Sequence, residues 1–200
     1  MRRLITTVAL MAYILTSCTN NQSTAFENTN RAENKEELIK RGAQLVTIAA
    51  CNECHTPKVF TEQGRFPDPK RILSGHPQDK KLPEIANDAL AKGWVLWNEH
   101  STAVAGPWGV SFAANLTPDA TGIGSWSFQQ FETALRHGKY KGLEGSRELL
   151  PPMPWRGYSH FTDDDLKAIF AYLNSLPPVS NRVPAPIPPT YSENSILDAK

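Results

Sequence analysis

Sulfur is scarce in this 200-residue chain, which has three cysteines and three methionines. Three cysteines cannot staple a chain of this length into a disulfide framework, and an odd count leaves one with separate work to do. A basic block is also missing. The 21 Lys and Arg against 20 Asp and Glu give a net charge of +1, so the electrostatic footprint of a nucleic-acid binder is absent. The longest apolar run, Leu4 to Leu15, falls short of the ~20 residues that span a bilayer. With 40% hydrophobic residues, 12 Gly and 16 Pro, a disordered tail, a coiled coil and a collagen-like rod are excluded too. What remains is a globular protein rich in irregular backbone, somewhat longer than the ~150 residues of a common single domain.

Met1-Arg2-Arg3 precedes the apolar run, which ends in Leu15-Thr16-Ser17-Cys18. A positive start, a short apolar stretch and small residues describe an export signal. The end of the run resembles a bacterial lipoprotein signal, which implies residues 1–17 as the signal peptide and Cys18 as the lipid-bearing residue. A buried or free cysteine behind an ordinary signal peptide is the alternative. Residues 18–34 carry Asn, Gln, Ser, Thr and Glu with few apolar side chains, so a flexible tether is expected there.

Cys51-Asn52-Glu53-Cys54-His55 is a C-x-x-C-H motif. Two thiols three positions apart on a tight helical turn can reach both vinyl groups of one porphyrin, and the next residue offers imidazole to the iron. A zinc site would need a second Cys or His pair at comparable spacing, and none follows. A redox dithiol would sit in a βαβ pattern, which is missing as well. One motif predicts one covalent haem c.

Iron held by His55 needs a sixth ligand or keeps an open position. Met1 and Met11 lie in the expected signal peptide, so a methionine ligand would have to be Met153, in Pro151-Pro152-Met153-Pro154-Trp155. Prolines on both sides restrict the backbone and would present the thioether from a stiff loop. A methionine filling a gap in the core is the competing use. His76, His100, His137 and His160 are rival ligands, although histidines in polar loops are usually solvated. Asp163, Asp164 and Asp165 could pass for a metal cluster, but at a helix start they simply complement the dipole.

Three stretches carry a family resemblance: Gly42–Pro57, Asn115–Gly138 and Pro152–Pro178. They resemble the class I cytochrome c domains, and more closely the modules of cytochrome subunits of bacterial periplasmic alcohol and aldehyde dehydrogenases. The resemblance implies a mainly α fold, with three or more helices around one covalent haem and a long loop insertion. It places the thioether links on Cys51 and Cys54, the proximal ligand on His55 and the distal ligand on Met153. Trp108, Arg156 and Tyr158 become candidate donors to the haem propionates. Subunits of this kind often carry several modules in series whereas this chain has one, so no particular donor enzyme is implied.

Local pattern fills in the domain, expected over 35–178. Leu38, Ile39, Gly42, Leu45, Val46 and Ala49 form one face of a helix that Asn34 can cap. Ser127 and Gln130 look like a capping box opening a second helix, which Gly138 stops. Thr162 and Asp165 open a third, with Leu166, Ile169, Phe170, Leu173 and Leu176 on its buried face and Pro177-Pro178 as its stop. In the resembled fold the first and last helices cross, with Gly42 admitting the partner backbone and Tyr172 or Phe170 filling the crossing. Residues 58–114 show neither period, apart from a possible short helix over 83–92, and count as a loop elaboration. Trp94, Trp97 and Trp108 lie within it, as a lid over the porphyrin or as an exposed docking patch. Residues 179–200 are proline-rich and expected to form an extended tail without a core of its own.

Two functions compete. With His55 and Met153 both on the iron, the protein is an electron carrier and not an enzyme, serving a dehydrogenase donor and an oxidase or cytochrome acceptor. Its expected place is the periplasmic face of a bacterial cell envelope, held to the membrane by the lipid anchor. With an open or displaceable sixth position, it is a ligand-binding sensor or an enzyme.

Overall fold

The computed structural model describes residues 19–189. The expected signal peptide over 1–17, Cys18 and the last part of the 179–200 segment lie outside the described residues. Helix α1 spans Thr19–Ile48, followed at once by the short helix α2, Cys51–His55. Ala50 turns the chain between them with a left-handed φ of 56°. The expected cap at Asn34 is therefore inside a helix, and the backbone over 19–34 is helical where a flexible tether was expected. Once the apolar face over 38–46 nucleates a helix, each added residue costs little, and no Gly or Pro interrupts 19–34.

The last helix, α6 (Asp163–Ser175), crosses α1. Leu45 and Val46 of α1 and Leu166, Ala168, Ile169 and Leu173 of α6 share one buried cluster. Gly42 is what lets the two backbones meet. A Cβ there would overlap the carbonyl oxygen of Ala168, and Tyr172 closes the crossing as expected. Arg41 reinforces it with an ion pair to Asp165 at 2.9 Å, and that bond, with the Thr162 hydroxyl, holds the Asp165 carboxyl below its usual value.

Helix α4 (Phe128–Arg136) packs Phe131 into the same core, with Phe128 and Leu135 against it. Both expected capping boxes are present: the Ser127 and Thr162 hydroxyls accept from the Gln130 and Asp165 amides at 3.1 Å. Gly138, with φ 62°, ends the α4 region as expected. The acidic run at the start of α6 is spent on cations: Asp163 pairs with Arg136, Asp164 with Lys167 and Asp165 with Arg41. Among the described residues no cluster of three His, Cys, Asp or Glu could hold a metal ion, and no helix is long and apolar enough to cross a membrane.

The 58–114 segment corrects the expectation of a plain loop. It holds two small antiparallel sheets: β1 (Lys58–Thr61) with β2 (Gly64–Pro67), and β3 (Leu96–Trp97), β4 (Ala103–Gly106) and β5 (Gly109–Phe112) in that order. The possible helix over 83–92 is the five-residue α3, Asn87–Ala91. Strands of two to four residues are too short to display a period, and β4 is buried along its whole length, which removes the alternation. The short helix α5, Trp155–Tyr158, follows the Met153 loop.

The segment after Pro178 corrects a second expectation, because its first residues enter the core. Asn181 is fully buried; its amide nitrogen donates to the Ser74 and His76 carbonyls and its oxygen accepts from the Gln78 amide. Farther on, Ile187 exchanges two backbone bonds with Val110 of β5. Proline content marked this stretch as extended, and extended chain is what such bonds require.

Candidate haem site

Helix α2 brings Cys51, Cys54 and His55 onto little more than one turn. Both thiols are free and half-buried. Burial pushes Cys51 up to about 11 and also raises Cys54, so both are neutral thiols near pH 7. His55 is buried, and its Nδ1–H donates to the Ala114 carbonyl at 2.7 Å. That bond fixes the tautomer and leaves the Nε2 lone pair as the ligating atom. Burial also lowers the His55 value, favouring the neutral imidazole a metal requires.

The Ala114 carbonyl is itself held in place. Asn115, next in the chain, donates to the Val179 carbonyl at 2.8 Å and accepts from the Thr117 amide and hydroxyl. Gly75 lies against the Ala113–Ala114 peptides, where a Cβ would clash, and its amide donates to the His55 carbonyl at 2.7 Å. Lys58 closes the C-terminal end of α2 as well. Its ammonium donates to the Asn52, Glu53 and Thr56 carbonyls at 3.0, 3.0 and 2.8 Å, capping the negative helix end. Sequence reasoning missed Ala114, Asn115, Gly75, Lys58 and Asn181. Ala114 acts through a carbonyl that every residue owns, although the resembling stretch Asn115–Gly138 begins beside it.

Met153 is half-buried on a loop tied at both ends. Before it, the Pro151 carbonyl accepts from the Ser111 hydroxyl of β5 at 2.6 Å. After it, the Tyr158 hydroxyl donates to the Ala49 carbonyl at 2.6 Å, two residues ahead of Cys51. Burial, with the nearby Cys51 and Cys54 thiols, raises Tyr158 to about 12. The loop is thus fastened on one side to the strand leading to Ala114 and on the other to the turn opening the C-x-x-C-H helix.

The three propionate candidates separate. The single donor of Tyr158 goes to Ala49, and that of Trp108 goes to Ser111 Oγ at 3.3 Å. Arg156 keeps N–H groups to spare: its guanidinium lies over the Trp155 ring, reaches Glu148 at 3.5 Å and is 77% exposed. Of the three tryptophans in the 58–114 segment, Trp94 is 65% and Trp97 47% exposed, while Trp108 is half-buried. Of the other histidines, His137 and His160 are exposed. His76 and His100 are buried, against the expectation for polar loops, because Nδ1 of each finds a partner, Thr102 Oγ1 and the Lys58 carbonyl, both at 2.9 Å.

The residues present fit a covalently bound porphyrin: two unpaired thiols and an imidazole with an oriented lone pair on one short helix, and a thioether on a loop tied to the turn that opens that helix and to the strand that leads to Ala114.

No protein-family model matches the chain. Among curated proteins it is 30% identical over 172 residues to the fructose dehydrogenase cytochrome subunit of Gluconobacter japonicus, covering 86% of this chain and 28% of that one. It is 30% identical over 147 residues to the gluconate 2-dehydrogenase cytochrome c subunit of Pantoea cypripedii, covering 72% of this chain and 25% of the relative. A diheme cytochrome c-type protein of Cereibacter sphaeroides is 35% identical over 147 residues, 73% of this chain and 38% of its own. The chain therefore spans about a quarter of the length of the two subunits.

Proposed function

The chain is a homologue of the cytochrome c subunits of bacterial dehydrogenases, and on that premise we propose that it is a monohaem electron carrier in which His55 and Met153 would hold the iron. The observation that carries this reading is the double fastening of the Met153 loop, to the turn that opens the C-x-x-C-H helix and to the strand that leads to the His55 support.

Bound haem would supply a one-electron iron couple. Cys51 and Cys54 would hold the porphyrin through thioether bonds, and the Nδ1 bond to Ala114 leaves His55 Nε2 free to bind the metal. The Met153 thioether, as a ligand, would raise the potential and compete with any substrate for the iron, which suits transfer and not catalysis. Arg156, with free N–H groups at the surface, is the donor we assign to a propionate. The donor is a dehydrogenase and the acceptor an oxidase or another cytochrome.

Met153→Ala tests the assignment. The ferric protein loses its sulfur-to-iron charge-transfer absorption, the reduction potential falls, and the ferrous protein binds carbon monoxide rapidly. Rapid carbon monoxide binding by the unaltered protein, or an unchanged spectrum in the variant, would make an open or histidine-ligated site the better account.

Placement follows from the first residues. Cys18 carries the lipid that holds the carrier at the periplasmic face of the cell envelope, since a diacylglyceryl group with an N-acyl chain supplies the two-chain anchoring that one chain cannot. Cys18→Ala moves the protein from the membrane to the soluble fraction, and intact mass shows the loss of the acyl chains. An amino terminus at another residue in the unaltered protein would contradict this placement.

A further inference from the structure

The 58–114 segment reaches the Met153 loop at Ser111. Its hydroxyl receives the Trp108 indole N–H at 3.3 Å and passes its own proton to the Pro151 carbonyl at 2.6 Å. The Val104 carbonyl lies farther from the same oxygen, at 3.4 Å. The indole N–H can only donate, so it occupies an oxygen lone pair and leaves the hydroxyl proton for the loop. Trp108 is fixed in turn: its ring lies over Gly106, where a Cβ would collide with it. Three residues beyond Ser111, the same stretch delivers the Ala114 carbonyl to His55 Nδ1. One continuous segment of about 10 Å thus touches the support of both proposed axial ligands.

We infer that Ser111, backed by Trp108, is a positioning residue that holds the Met153 loop at a fixed distance from the His55 support and so keeps the thioether on the iron. This rests on the reading of Met153 as a ligand. Pro151 cannot hold the loop through an amide N–H, because proline has none, so its carbonyl is the only backbone group it can offer. Tyr158 fastens the far end of the loop, and at the near end Ser111 adds to the bond from the Leu149 amide to the Gly138 carbonyl at 2.6 Å.

The test uses the full haem-loaded chain, with ferrous carbon monoxide affinity and the ferric charge-transfer absorption as readouts. Losing one neutral hydrogen bond that water can partly replace shifts the bound-to-displaced balance of the thioether roughly fivefold. Ser111→Ala therefore raises apparent carbon monoxide affinity by about that factor and weakens the charge-transfer absorption. Ser111→Thr, which keeps the hydroxyl on a strand that tolerates β-branching, restores both. Trp108→Phe, lacking only the N–H donor, moves both in the same direction by less. If Met153→Ala abolishes the absorption while Ser111→Ala matches the unaltered protein in both readouts, the positioning role is overturned and the ligand assignment stands. If Met153→Ala changes neither readout, the ligand assignment falls and the positioning role with it.

Discussion

Gly42→Ala lowers the melting temperature of the haem-loaded protein by roughly 5 °C, although alanine is the better helix former. The intrinsic preference favours alanine by ~1 kcal/mol. Against it stands the new methyl group, which would occupy the position of the Ala168 carbonyl oxygen and press on the Tyr172 Cβ. Neither is the far end of a flexible side chain, so relief requires α1 and α6 to separate, at a cost of about 3 kcal/mol from overpacking. The difference, ~2 kcal/mol, corresponds to that shift for a domain of this size. Calorimetry decides between the two effects, because a rise in melting temperature would mean that the crossing is loose and propensity rules. Spacing alone marked Gly42 only as a glycine on an apolar helical face; the family resemblance turned it into a contact.

Ending the chain at Pro178 abolishes stable folding, and Asn181→Ala alone costs about 3 kcal/mol in denaturant midpoint measurements. Asn181 satisfies the Ser74 and His76 carbonyls and the Gln78 amide from a position with no access to water. Each buried polar group left without a partner costs ~1–3 kcal/mol, and alanine orphans all three. The shortened chain loses in addition the Val179 carbonyl that holds Asn115, and the Ile187 pairing that covers β5. Since Asn115 adjoins the carbonyl that orients His55, poor haem attachment should accompany the loss of stability. A protein ending at Pro178 with the midpoint of the full chain would restore the picture of an extended proline-rich tail outside the core.

What was legible in the residues was what is local. The two capping boxes and the Gly138 stop were visible because a cap is decided within three or four residues of itself. The C-x-x-C-H helix was visible because its spacing is its chemistry. The sheets in 58–114 were not, since strands of two to four residues carry no period, even though each pairs with a partner no more than nine residues away. Lys58 was passed over because lysine is ordinarily a surface residue; only the folded helix end shows three carbonyls converging on its ammonium. Asn181 was passed over because one polar residue among prolines says nothing of the carbonyls it meets. Both omissions concern backbone partners, which leave no mark in the side-chain alphabet.

The two halves of the insertion differ in how much alteration they can absorb. The β4–β5 hairpin delivers Ser111 and lies upstream of Ala114, so added length there would be felt at the iron. The β1–β2 hairpin turns at Glu62-Gln63, its strands are exposed apart from Lys58, and Gly64 after the turn, with φ 125°, has open space around it. Arg65 anchors the second strand from behind, through the Glu99 carbonyl and the Ser101 hydroxyl. That tip is accordingly a graft point, where an epitope or a surface-binding peptide can be spliced between Glu62 and Gln63 to wire the carrier to an electrode without retuning it.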